Sequence, residues 1–206
     1  MNMNLTEIIF LLDRSGSMAG LERDTIGGFN AFIEKQRQLE GKTVVTTVLF
    51  DDKYELLWSG ADAGKVKLTG KEYFVRGSTA LLDAVGKTIL DAGWRLSGMR
   101  EEERPGKVIF VITTDGLENS SKEFTYSNIR GLILHQQEKY NWEFIFLSAN
   151  IDAAKEAKSM GICEDNAYNF EASRDGVGIM YCTASEAVAE RRYSKGKSSC
   201  EGSEVK

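Results

Sequence analysis

The chain has little of several residue types that other function classes depend on. Its 206 residues hold one histidine, one proline and three cysteines. With His135 the only imidazole, and far along the chain from the serines of interest, a Ser-His-Asp hydrolase has no evident base. Cys163, Cys182 and Cys200 are widely spaced in the last quarter, without C-x-x-C pairs or a nearby histidine. They read neither as a disulfide framework nor as a zinc site, and a reducing cytoplasm is the simple expectation. No basic run exceeds the pair Arg191-Arg192, and the net charge is -5, so bulk electrostatics offer no hold on nucleic acid or an anionic membrane. No apolar stretch approaches the roughly eighteen residues of a membrane span. The opening "MNMNLTEIIFLLD" lacks a basic n-region and meets Asp13 too early for a signal peptide. The phosphate-cradling pattern G-x-x-x-x-G-K-[ST] is missing as well.

What is present is an alternation of buried strands and helices. Leu5 to Leu12 is an oily run without the period-two alternation of a half-wet strand, and an amphipathic helix follows from Leu21 to Leu39. "TVVTTVLF" (Thr43 to Phe50) is the next strand, Asp51-Asp52 a turn, and "KYELLW" its hairpin partner. A second helix runs from Ala80 to Leu96 and ends before "REEERP", where Pro105 stops helix continuation. "KVIFVIT" (Lys107 to Thr113), a helix over Tyr126 to Tyr140, "WEFIFLSAN", a short helix over Asp152 to Met160, "NAYNFEA" and a closing helix over Ser173 to Tyr193 complete the series. The pattern predicts an α/β fold, doubly wound, with a mostly parallel central sheet, one antiparallel edge strand and helices on both faces. Residues 1–195 read as a single domain and 196–206 as a disordered tail.

In such sheets, ligands collect outside the carboxyl ends of the strands. Asp13, Ser15 and Ser17 follow the first strand, Asp115 follows the "KVIFVIT" strand, and Thr79 lies in the "VRGST" loop before a helix. Two carboxylates and three hydroxyls can thus converge from three loops. Such hard oxygen donors suit magnesium or manganese better than zinc. Each residue alone has a plainer reading, Asp13 as a helix-start group and Ser15 or Ser17 as an N-cap.

Together, D-x-S-x-S after the first strand, the threonine of "GST" and "TTDG" after a later strand resemble the von Willebrand factor type A (vWA) domain with its metal-ion-dependent adhesion site. The segment "TTDGLENSS" is closest in style to bacterial and phage intracellular members. The resemblance implies that Ser15, Ser17 and Thr79 ligate the ion directly, while Asp13 and Asp115 hold it mainly through water. It also implies Mg2+ as cofactor, with Mn2+ or Ca2+ as substitutes. The expected function is metal-dependent binding of a protein partner whose acidic side chain completes the coordination, with an ATPase or assembly factor among the candidate partners. The expectation includes no catalysis, no nucleic acid and no membrane.

Two rival readings use the same residues. One is a structural metal scaffold that exchanges no partner. The other is a magnesium-dependent phosphotransferase with Asp13 as nucleophile, weakened because Ser15 stands where the dehalogenase-like pattern needs a second aspartate. Glu118 and Asn119 read as solvated loop positions, Arg76 as a surface arginine and Asp51 as a turn former.

Overall fold

The computed structural model describes residues 1–194; the expected tail and Cys200 lie outside the described residues. Six strands, β1 (Asn2–Asp13), β2 (Lys42–Phe50), β3 (Tyr54–Asp62), β4 (Pro105–Thr114), β5 (Glu143–Ala149) and β6 (Ala167–Phe170), form one sheet in the order β3-β2-β1-β4-β5-β6. All neighbours are parallel except the hairpin pair β2 and β3. The helices are α1 (Glu22–Gln38), α2 (Leu81–Ser97), α3 (Tyr126–Tyr140), α4 (Ala153–Ser159) and α5 (Arg174–Tyr193).

Alternate residues of a strand point to opposite faces, and β1 feeds both cores. Ile8, Phe10 and Leu12 pack with α1 and α5, while Ile9 and Leu11 pack with α2, α3 and α4. Phe10 meets Phe29 and Phe32 edge-on at 5.4 and 5.3 Å and stacks on Tyr181 at 6.0 Å. On the other face Phe110 stacks between Phe144 at 4.8 Å and Trp142 at 5.3 Å. This two-sided burial explains why β1 and β4 read as continuous apolar runs.

Several details depart from the sequence reading. β1 starts before Leu5, and β3 continues past "KYELLW" to Asp62, leading into a short 3-10 turn over Ala63–Lys65. Pro105 opens β4, where its missing N–H is tolerated at a strand start. Glu7, inside the apolar run, is fully buried; its Oε1 accepts from the Thr46 hydroxyl and the Arg95 guanidinium, while its Oε2 is buried without a partner. Cys182 is free and exposed. Among the described residues, no helix is long and apolar enough to cross a membrane.

Candidate functional site

The strand order reverses between β1 and β4, so the loops leaving their carboxyl ends diverge to opposite faces and leave a crevice. The β1 loop turns tightly through a 3-10 turn over Gly16–Met18. Gly16 N–H donates to the Gly77 carbonyl at 3.1 Å, tying this loop to the one that carries Thr79. Gly77 has φ +69, a left-handed backbone conformation that favours glycine.

Around this junction the structure gathers all five residues singled out above. Asp13 is buried; its Oδ1 accepts from Ser15 N–H at 2.7 Å and its Oδ2 from the Thr114 hydroxyl at 2.6 Å. The hydroxyls of Ser15 and Ser17 lie 3.1 Å apart, and Ser17 Oγ donates to Asp115 Oδ1 at 2.5 Å. A Cβ on Gly116 would sit 3.4 Å from both Ser17 Oγ and Thr79 Oγ1, which brackets the two hydroxyls around one glycine. Ser15, Thr79 and Asp115 are buried, and Ser17 is exposed. Asp115 Oδ2 is buried without a hydrogen-bond partner.

Burial pushes the Asp13 carboxyl up to about 6, against the pull of the Thr114 hydroxyl and of Ser15, with the Asp115 charge adding to the rise. Burial likewise raises Asp115, offset in part by the hydrogen bond from Ser17. Both acids are therefore held where the charged form is disfavoured.

Three residues read as plain loop or turn positions have larger tasks. Asn119 Oδ1 accepts from Thr79 N–H at 3.0 Å, and Asn119 N–H donates to the Thr79 carbonyl at 3.1 Å, clamping that backbone from both sides. Glu118 accepts from the N–H groups of Leu82, Ser120 and Ser121, fastening the β4 loop to the first turn of α2. Asp51 is fully buried beside Arg14, itself fully buried, with Nε to Oδ2 at 2.9 Å, and it also pairs with Arg76 at 2.6 Å. Burial pushes Asp51 up, but the Arg76 hydrogen bond, the Lys53 amide and both guanidinium charges outweigh it and hold the carboxyl below its ordinary value. Arg14 also reaches Glu55 at 2.7 Å, and both guanidinium groups lie over the Phe74 ring, at 5.4 and 5.2 Å. The one sequence signal for this cluster was a charged residue, Arg14, between two site residues.

The metal expectation is corrected. Among the described residues no group of three or more His, Cys, Asp or Glu side chains is placed to hold a metal ion. The crevice offers two carboxylates, each already accepting from a hydroxyl, and neutral hydroxyls otherwise. That finding overturns the intact adhesion site, the Mg2+, Mn2+ or Ca2+ cofactor and the metal-bridged carboxylate of a partner. It equally overturns the structural metal scaffold and the magnesium-dependent phosphotransferase.

No family model and no curated protein matches the chain. Solved structures do. Proximal thread matrix protein 1 (PTMP1) from the mussel byssus superposes with a TM-score of 0.61 at 16% identity, over 89% of this chain and 46% of that one. A structure of the same mussel protein with a zinc-occupied MIDAS motif gives 0.59 at 17% identity, over 89% and 45%. The ArnB paralog VWA2 from Sulfolobus acidocaldarius gives 0.54 at 15% identity, over 88% and 45%. The fold is of the vWA type. The chain spans about half the length of these structures, and at such identities the likeness concerns the vWA-type fold alone, so the zinc belongs to the mussel protein.

Proposed function

We propose that this vWA-type chain is a protein-binding module without a catalytic step of its own, and that it receives its partner at the crevice between the β1 and β4 loops. The observation that carries the reading is the buried, unpartnered Asp115 Oδ2 beside the exposed Ser17 hydroxyl. An acceptor left open in a buried site costs about 1–3 kcal/mol, which a donor from a partner recovers. With Asp13 and Asp115 side by side, the complementary group is a basic side chain, whose charge-assisted hydrogen bonds also lower both carboxyl pKa values. Leu117 and Phe74, 63% and 44% exposed on neighbouring loops, supply apolar contact around that polar centre. A cytoplasmic assembly factor or ATPase with a lysine or arginine at its docking tip fits this role.

The test is affinity capture from cell extract with the wild type, Asp115→Asn and Ser17→Ala as bait, each in chelator and in added magnesium. A protein retained by the wild type in chelator and lost from Asp115→Asn supports the reading. Retention that requires magnesium, or that is equal for all three baits, overturns it.

A further inference from the structure

At the other end of the sheet, a cavity of about 390 Å3 opens between α2 and α3, beside the start of β4. That volume falls within the range of small-molecule sites. Its apolar walls carry four rings: Trp94 from α2, His135 and Tyr140 from α3, and Trp142 just before β5. Trp142 is nearly buried, whereas Trp94 is 84% exposed. Gly93 of α2 lines the cavity beside Gln136. A Cβ at that position would meet only Gln136 Nε2, at 3.8 Å.

Gln136 supplies the polar feature. Its side chain lines the cavity and is 9% exposed, and its Oε1 is buried with no hydrogen-bond partner. Buried amide oxygens are rarely left in that state, and rotation of the Gln136 side chain toward the cavity would let a ligand donor satisfy it. No aspartate or glutamate lines the cavity, so nothing there favours a cationic ligand. The guanidinium of Arg104 at the rim is engaged with the carbonyls of Met99 and Ser97.

We propose that this cleft is a second binding site, for an uncharged planar aromatic small molecule carrying one hydroxyl or N–H donor. The ring slots between Trp94 and Trp142, and the donor meets Gln136 Oε1. Offset-stacked or edge-to-face aromatic contacts contribute beyond simple area burial and favour a flat ligand over an aliphatic one.

The probes are 2-naphthol and 2-methoxynaphthalene, which share a ring system and differ in the donor. Both are titrated by NMR into the full chain, reading the indole N–H of Trp94 and Trp142, with Ser17 as a remote control. We expect one saturable site for 2-naphthol, with shifts confined to the tryptophans, and about fivefold weaker binding of 2-methoxynaphthalene, the worth of roughly one hydrogen bond. Gln136→Leu abolishes the difference between the probes, and Gly93→Leu, which fills the cleft from α2, abolishes binding while Gln136→Leu keeps the fold under test. Equal affinity of the two probes for wild type, binding unaffected by Gly93→Leu, or no saturation up to the solubility of 2-naphthol overturns the proposal. Self-association lost in Trp94→Ala would overturn it in favour of a second copy as the occupant.

Discussion

At the carboxyl ends of β1 and β4 the chain buries two carboxylates among hydroxyls and braces them with a buried ion-pair cluster. At the amino end of β4 it leaves an apolar cleft walled by tryptophan and tyrosine. The contrast follows from how each end is made. The upper crevice is assembled from loops whose polar groups, Asp115 Oδ2 apart, largely bond to one another, so many contacts fix its geometry. The lower cleft is a gap between α2 and α3 lined mostly by apolar side chains, and few polar contacts fix its contents. Changes at the upper end should therefore move global stability strongly, and changes at the lower end should barely move it.

The largest expected effect is at Arg14. Replacing it with methionine keeps the packing volume but leaves the fully buried Asp51 with one charged partner, the half-exposed Arg76, besides the Lys53 amide, so urea denaturation should show a loss of about 3–5 kcal/mol. A loss under about 1 kcal/mol would mean that the upper end is less tightly coupled than its contacts imply.

Next comes Asp13→Asn, with the opposite sign. Because the folded carboxyl is raised from 3.8 to about 6, its contribution to stability is fully present below the unfolded pKa and lost as pH rises through the folded one. Removing the charge should stabilise the protein at pH 7 by about 1–3 kcal/mol and flatten the stability profile between pH 4 and 6. An unchanged pH profile would show that Asp13 is not the group being titrated.

The smallest effect belongs to the lower end. Gly93→Ala adds a methyl group that meets nothing closer than 3.8 Å and removes a glycine from a helix interior, so it should raise stability by about 0.5–1 kcal/mol. A destabilised Gly93→Ala would indicate that the cleft walls are already in contact and would erase the contrast between the two ends.

Much of the architecture was legible because its causes are local. The oily runs ending in Asp13 and Thr114, and the helical stripe of Leu81, Val85, Ile89 and Ala92, announce strands and helices through their periods alone. Once a doubly wound sheet is inferred, the position of Asp13, Ser15, Ser17, Thr79 and Asp115 in loops at the strand ends follows from chain order. The bracing residues were illegible for the opposite reason. Asn119 and Thr79 are forty residues apart, and Arg14 and Asp51 thirty-seven, so no window of sequence contains either pair. An aspartate in a hairpin turn has the same local signature whether it faces water or a buried guanidinium.

The sequence by itself therefore determined the series of strands and helices, the two-sided core and the end of the sheet to which the oxygen-bearing loops lead, since each depends on hydrophobic period and chain order. Only the tertiary structure decided that Arg14 and Asp51 are buried together, that Asp115 keeps an open acceptor, and that Gly93 packs beside Gln136 at the wall of a cleft. Those outcomes depend on how separate elements are packed and registered against one another, and the free energies that select them arise between residues that never share a local pattern.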